Sequence, residues 1–219
     1  MLYEPKHVAL CIDEAERKIA LDFSEGYKEF LNVAKTERES AAYAVRVAEA
    51  AGYKPYTWGQ ALKAGDKVYY LNRNKSVILA VIGTDDIANG VNIMAAHIDT
   101  CRLDLKQNPL YESNEIAYFK THYYGGIKKY QWVAIPLSLH GVVILSNGEK
   151  HEICIGEDEN DPVFYVTDLL PHLAQDQMKR AANEIIKGEE LNILVGSLPL
   201  EGTEKNAVKM QVLKLLNDK

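Results

Sequence analysis

A histidine and an aspartate at the end of an apolar run are the residues of this sequence best placed to do chemistry. The run at residues 92–96 leads into His97, and Asp99 follows two positions later. In a strand, side chains alternate between faces, so His97 and Asp99 would point the same way. A histidine that binds a metal through one ring nitrogen commonly donates the other to a carboxylate, which orients the ring. The spacing therefore fits a metal ligand with its orienting carboxylate, and it also fits a histidine that is merely hydrogen-bonded at a strand end.

Other reactive side chains have plainer explanations beside their chemical ones. Cys101 is either a thiol ligand or nucleophile, or a small buried filler. Asp85 and Asp86 either bind a metal or are solvated in a turn rich in Gly and Asn. The acidic residues 157–162 resemble a calcium loop, but they lack its glycine at position six and its glutamate at position twelve, so we predict a solvated loop.

Composition excludes several classes of protein. The chain has 219 residues, 47% of them hydrophobic and 26% charged, which is typical of a globular protein. Its net charge of −6 argues against a nucleic-acid or anionic-membrane binder. We expect no membrane span and no secretion signal, and the three widely spaced cysteines predict a reducing, cytoplasmic location without disulfides.

The first part of the chain predicts helices. Ser24 is a candidate N-cap for a helix over residues 25–31. Thr36 and Glu39 form the pattern of a capping box, although residues 36–39 (TERE) are also readable as a functional charge cluster. The helix that begins there should end at Gly52, and its predicted core-facing residues are Ala42, Val45, Ala48 and Ala51.

A change of period then predicts strands. Residues 67–71 and 76–82 should form a hairpin through the turn at 72–75, and a third strand should end at His97. Such a mixed α/β layer would place His97 at the carboxyl end of a strand, where α/β sheets carry their chemistry. We expect Val77, Leu79 and Val81 to share one face of this sheet.

The rest of the chain reads as a second region. Residues 116–119 lead into the segment 121–132, and residues 139–145 and 151–155 predict a hairpin around Asn147 and Gly148. A helix should start at Asp168, run over residues 169–186 and end at Gly188. A short strand at 191–195 precedes a closing helix up to Lys219 whose apolar face is formed by Val208, Val212 and Leu215.

Four segments, taken in order, resemble a known family. Residues 95–106 (AAHIDTCRLDLK) resemble the signature of the aspartyl aminopeptidases and the vacuolar-type aminopeptidase I group, with a histidine and an aspartate in the same spacing. Residues 23–53 are similar to the N-terminal helices of that family, residues 121–132 to its Tyr-Gly-Gly motif, and residues 161–177 to its proline-histidine-leucine segment. The similarity is collinear from about Glu14 to the end of the chain, which makes it far more specific than one motif.

The resemblance implies an α/β fold and a two-metal aminopeptidase. It implies a partial zinc-exopeptidase-like catalytic domain of helices and mixed sheet at residues 1–101, followed by a β-rich lid or dimerisation domain with helices at 102–219. His97 matches a metal ligand, Asp99 the catalytic carboxylate that orients it, and His172 a substrate-binding position. The implied cofactor is Zn²⁺, with Co²⁺ or Mn²⁺ as alternatives, and the implied reaction is removal of N-terminal residues from peptides by a metal-activated water.

Three features depart from the family pattern. Thr100 and Cys101 replace a Ser-Pro pair, residues 132–137 lack the charges of the family's Trp-Phe-Asp-Arg-Asp-Leu run, and Asp176 stands where a second histidine would follow His172. Family members are also much longer and carry their other metal ligands in the second half. Because a catalytic zinc needs about three protein ligands, this chain should not act alone.

Two functions are therefore open. The chain is the N-terminal half of a metalloaminopeptidase, with peptide substrates and a missing C-terminal half or a homo-oligomer as partners. Alternatively, it is a non-catalytic assembly or regulatory module derived from the same family. Because the matched segments contain only one candidate metal ligand, the sequence does not decide between the two functions.

Overall fold

The computed structural model describes residues 4–218, which divide into two compact units at the junction of Asp99 and Thr100. The first unit holds two helices and a mixed sheet, and the second is rich in strands. The chain is thus a mixed α/β protein, as the sequence predicts. Within the described residues, no helix is both long and apolar enough to cross a membrane.

The first helix is longer than predicted. Helix α1 (Glu14–Val33) begins at a capping box formed by Asp13 and Glu16, whose backbone and side-chain groups satisfy each other's hydrogen bonds. Ser24 lies inside α1, where its hydroxyl donates to the carbonyl of Ala20 at 2.9 Å. The prediction that Ser24 starts a helix is wrong, because the hydroxyl is satisfied by the preceding turn of the helix itself.

The second helix follows the prediction closely. Helix α2 (Glu37–Ala50) begins at the Thr36–Glu39 capping box, and Gly52 follows its end with a left-handed φ of 86°. The residues that α2 buries differ in part from those predicted. Ala48 is buried and Val45 is half-buried, whereas the predicted core residues Ala42 and Ala51 are exposed. Ser40 and Ala41 are buried instead.

The sheet of the first unit has three strands in the order β1-β2-β3. Strand β1 (Lys54–Pro55) pairs parallel with β2 (Lys67–Asn72), which pairs antiparallel with β3 (Ser76–Val81). The hairpin between β2 and β3 turns through Arg73 and Asn74, both at positive φ. The sequence predicts this hairpin correctly and gives no signal for the two-residue β1.

The predicted third strand of this sheet is absent from the described chain. Residues 82–101 contain only a 3-10 turn (Ile87–Asn89), which Asp86 caps through the amide of Ala88, and residues 91–101 have no regular secondary structure. A strand exists only when a neighbour completes its hydrogen bonds. No described strand pairs with residues 91–101, so the apolar run that precedes His97 is not a strand here.

The second unit contains a four-stranded sheet in the order β4-β5-β9-β8 and a separate hairpin. The strands of the sheet are β4 (Arg102–Ser113), β5 (Ile116–Tyr124), β8 (Tyr165–Val166) and β9 (Ile193–Gly196). Strand β4 was not predicted, because its charged residues hide the alternation. The hairpin of β6 (Leu139–Ile144) and β7 (Lys150–Ile155) turns at Gly148, as predicted from the sequence.

The helix predicted after Asp168 does not form. Residues 168–190 are irregular, with short 3-10 turns at Gln177–Lys179 and Gly188–Glu190. Leu169, Leu170 and Leu173 are exposed, whereas Ala174 and Ile186 are buried. Because most helical stability comes from burying one continuous apolar stripe, a segment whose leucines face solvent gains little from becoming a helix.

A core of large side chains lies in the second unit. Helix α3 (Ala207–Asp218) buries Val208 and Val212 against it, as predicted; Lys219, the predicted end of this helix, lies outside the described residues. The core consists of Ala117, Phe119, Ile155, Phe164, Val166, Ile186, Leu191, Ile193, Val195, Val208 and Val212.

Candidate metal centre

The structure brings His97 and Asp99 into contact. The Nδ1 atom of His97 lies 3.0 Å from the backbone oxygen of Asp99 and 3.2 Å from its Oδ1 atom. Both oxygens are acceptors, so a neutral imidazole here carries its proton on Nδ1. The Nε2 atom then presents its lone pair, which is the form of histidine that binds a metal. The His97 side chain is 85% exposed rather than enclosed in a cleft.

The capped start of α2 anchors the segment that carries this pair. Ser40 is 3% exposed, and its hydroxyl donates to the carbonyl of Ile98 at 3.4 Å. Ile98 lies between His97 and Asp99, so this hydrogen bond holds the site segment against the first turn of α2. The capping box at Thr36 stabilises that turn. Sequence reasoning missed Ser40, because a serine four residues after an N-cap carries no functional signal by itself.

The remaining candidates do not join His97 in a metal-binding group. Across residues 4–218, no three histidine, cysteine, aspartate or glutamate side chains gather to hold an ion. Asp85 accepts a long hydrogen bond of 3.5 Å from the Thr84 hydroxyl, while Asp86 caps the 3-10 turn. Asp161 accepts from the amide of Gly156 at 2.8 Å, which makes its loop a self-capped turn.

Two further candidates belong to the second unit. Cys101 is exposed, so the prediction of a buried filler is wrong; its Sγ atom lies against the backbone of Gly125, where a Cβ would come within 2.9 Å of it. This close approach is the reason for the glycine, whose φ is 83°. His172 is exposed in a turn before Ala174, and its substrate role stays a prediction.

Solved structures share this fold. An aminopeptidase (M18 family) of Thermotoga maritima superimposes with a TM-score of 0.90 at 43% identity, over 99% of this chain and 47% of that one. Aminopeptidase I of Borrelia burgdorferi superimposes with a TM-score of 0.84 at 44% identity, over 97% of this chain and 48% of its own. The S. cerevisiae mApe1 dodecamer matches in fold alone, at 15% identity and a TM-score of 0.63, over 90% of this chain and 44% of that chain. The architecture is therefore that of an aminopeptidase-like α/β protein.

The family itself is also shown. A family model of the aminopeptidase I zinc metalloproteases (M18) matches residues 30–219. A probable M18 family aminopeptidase 1 of Clostridium acetobutylicum is 46% identical over 224 residues, which cover all of this chain and 48% of the relative. This chain belongs to the M18 family, and the resemblance inferred from its sequence is confirmed. It spans about half the length of the curated relatives it matches.

Proposed function

We propose that this chain provides part of the metal centre of a metal-dependent aminopeptidase, with His97 as a ligand through Nε2 and Asp99 as the residue that positions its ring. The observation that carries the proposal is the contact of His97 Nδ1 with the backbone oxygen and with Oδ1 of Asp99. The family description as a zinc metalloprotease supports a metal at such a site. One histidine and its partner fit a ligand and its support, and at least two further ligands would come from outside the described residues.

The chemistry of the centre follows from these roles. Zinc, when bound, supplies Lewis-acid polarisation of the peptide carbonyl, and cobalt or manganese are the alternatives with the same role. Asp99 would accept the hydrogen bond from Nδ1, which keeps His97 in the tautomer that binds a metal through Nε2. The substrates would be peptides with a free N-terminus, and His172 is the candidate for a contact with them.

The assembly and the location are further parts of this proposal. We assign residues 1–101 to the catalytic α/β domain and residues 102–219 to a lid or dimerisation domain. The yeast structure of the same fold is a dodecamer, which supports homo-oligomer formation for this chain as well. Among the described residues, Cys11, Cys101 and Cys154 form no disulfide, which suits a reducing cytoplasm.

A paramagnetic titration tests the ligand role without needing activity. Among the six histidines of the chain, His97 should show the largest broadening of its ring resonances as Co²⁺ is added. Binding should be weaker than micromolar, because one imidazole supplies a single ligand. The Asp99→Ala variant should weaken this binding, since loss of a partner that orients a ligand typically costs about 10–100-fold.

Glu149→Ala is the matched control for this titration. Glu149 contacts the exposed His151 at 3.2 Å, much as Asp99 contacts His97. The control should leave the Co²⁺ effect at His97 unchanged. Preferential broadening at His140 or His151, or an Asp99→Ala variant that binds as well as the parent, would contradict the proposal.

A further inference from the structure

The base of the β6–β7 hairpin gathers a thiol, an imidazole and a carboxylate. His140 of β6 and Cys154 of β7 lie directly opposite each other in the pairing of the two strands. Such residues project from the same face of an antiparallel pair, with Cβ atoms about 4.5–5.5 Å apart. Glu157 follows the end of β7, and its Oε1 atom lies 2.9 Å from Nε2 of His140. These three residues belong to the second unit and are separate from the candidate metal centre.

The contacts of His140 determine which of its ring nitrogens is basic. An ionised carboxylate only accepts hydrogen bonds, so a neutral imidazole beside Glu157 carries its proton on Nε2. Nδ1 is then the nitrogen with the lone pair. Ser138 supports this arrangement, because its hydroxyl donates to the same Glu157 oxygen at 2.7 Å and lies 3.1 Å from Nε2.

The backbone around Glu157 is held against β6. Gly156 has a left-handed φ of 105°, and a Cβ there would lie 3.0 Å from Cα of Ser138. The Gly156 amide donates to Oδ2 of Asp161 at 2.8 Å. Ile155, at the end of β7, is buried in the core of the second unit. These contacts keep the segment that carries the carboxylate beside the histidine.

The thiol and the imidazole differ in exposure. Cys154 is exposed, whereas the His140 side chain is only 10% exposed. An accessible thiol beside a base reacts as a thiolate, because an imidazolium stabilises the sulfur anion and a carboxylate such as Glu157 stabilises the imidazolium. Cys11 is exposed as well, but its thiol donates to the carbonyl of His7 at 3.7 Å, which favours the protonated thiol.

We propose that Cys154, His140 and Glu157 form a reactive-thiol site that exchanges with low-molecular-weight disulfides. Nδ1 of His140 accepts the thiol proton, and the Cys154 thiolate attacks one sulfur of the disulfide. A new S–S bond to Cys154 forms and the old S–S bond breaks, which releases the other half of the reagent as a thiolate that takes up a proton. The protein thiol is thereby oxidised to a mixed disulfide, and half of the reagent is reduced to a thiol. An excess of small thiol reverses the exchange.

The charges near the thiol indicate which reagent to use. Lys150 and Glu152 share the face of the hairpin that carries Cys154, since side chains alternate along β7. They are exposed and of opposite sign. A neutral disulfide such as hydroxyethyl disulfide is attracted to neither, so its rate of exchange reports the thiol itself. The inference is independent of the proposed metal centre.

The test measures exchange at each cysteine of the reduced chain. The chain is mixed with hydroxyethyl disulfide over a series of pH values, quenched with acid and analysed by peptide mass spectrometry. At pH 6, Cys154 should form the mixed disulfide about 5-fold faster than Cys11, because its larger thiolate fraction outweighs the weaker nucleophilicity of each thiolate. Above the ordinary thiol pKa of about 8.5 both cysteines ionise, so the ratio should fall to about one or lower. Equal rates at pH 6, or a ratio that does not change with pH, would overturn the inference.

Three variants test the roles of the neighbours. His140→Gln should lower the rate of Cys154 at pH 6 to that of Cys11, and Glu157→Gln should remove most of the advantage. Glu159→Gln is the matched control, because Glu159 is an exposed acid in the same loop, and it should leave the rate unchanged. If His140→Gln does not fold, Glu157→Gln decides. Exchange as fast in Glu157→Gln as in Glu159→Gln would show that exposure alone makes Cys154 reactive and would refute the site.

Discussion

At the residue scale, Glu190 is a carboxylate whose surroundings lower its pKa. Partial burial by itself raises the pKa of Glu190, but the hydrogen bonds from the Lys187 amide and from the Arg180 guanidinium outweigh it, so the pKa is lowered overall. Arg180 Nη1 lies 2.9 and 3.0 Å from the two carboxylate oxygens. This pair ties together an irregular segment that lacks the helix predicted for it.

The lowered pKa makes a testable statement about stability and pH. A carboxylate whose folded pKa lies below its unfolded value stabilises the fold above the unfolded pKa, and this contribution disappears as the pH falls through the folded pKa. Glu190→Gln should therefore destabilise the second unit at pH 7 and match the parent well below pH 4.5, the ordinary value. Urea unfolding at pH 7 and at a pH well below 4.5 measures the free energy of unfolding of the variant and the parent. Glu184→Gln, a change of an exposed residue in the same segment, is the control. A loss of stability in Glu190→Gln that is the same at both pH values would contradict the expectation.

At the scale of single elements, the capping box of α2 links local sequence to the site. The Glu39 carboxylate accepts from the amides of Lys35 and Thr36 at 3.0 and 2.7 Å, and the Thr36 hydroxyl accepts from the Glu39 amide at 3.4 Å. These bonds satisfy amides that the helix itself leaves unpaired. The turn they hold carries Ser40, which contacts the segment of His97.

Thr36→Ala should lower the free energy of unfolding of the first unit by about 1 kcal/mol, the typical cost of losing an N-cap. Ser24→Ala should change it by less than about 0.5 kcal/mol, because Ser24 lies on the exposed surface of α1 and caps nothing. Chemical denaturation followed by circular dichroism compares the two variants. Equal losses would mean that the capping box does not stabilise α2.

Strand β9 and helix α3 meet at a glycine that leaves no room for a side chain. A Cβ at Gly196 would lie 2.7 Å from Cγ2 of Val212, which is buried and branched. Gly196→Ala should destabilise the second unit by about 1–3 kcal/mol, as overpacking of a core does. Gly141→Ala, on β6, is the control, because a Cβ there meets nothing within 4 Å. Equal stability of the two variants in thermal unfolding would show that α3 moves aside without cost.

At the scale of the whole molecule, the two units differ in how much they bury. Phe119 is 4% exposed in the core of the second unit, whereas Phe23 of α1 is 78% exposed. Because the two units bury different side chains, we expect the stability of each unit to depend on the side chains buried within that unit. The first unit, with small buried residues, should open more readily than the second.

Phe119→Ala should cost the second unit about 3–5 kcal/mol, the usual loss for a buried aromatic side chain. Amide exchange in β2 and β3 of the first unit should not change. Phe23→Ala should leave both units within about 0.5 kcal/mol of the parent. Hydrogen exchange with mass spectrometry resolves the two units in one experiment, and faster exchange in β2 of the Phe119→Ala variant would contradict the independence of the two interiors.

Local features were accessible from the sequence alone. The Thr36 capping box, the turns at residues 72–75 and at Gly148, and the buried face of α3 all depend on residues a few positions apart, so short-range patterns suffice to predict them. The pairing of His97 with Asp99 also belongs here, since the two residues are close in sequence. Collinear motifs were enough to indicate the family, which the similar proteins confirm.

Long-range partners decided the rest. Whether residues 92–96 form a strand depends on a neighbouring strand, and whether residues 169–186 form a helix depends on a surface to cover their leucines. The position of Ser40 against Ile98 joins residues 58 positions apart, which no local pattern encodes. Propensity and periodicity describe what a segment is able to form, whereas backbone hydrogen bonds and apolar burial from distant parts of the chain determine what it does form.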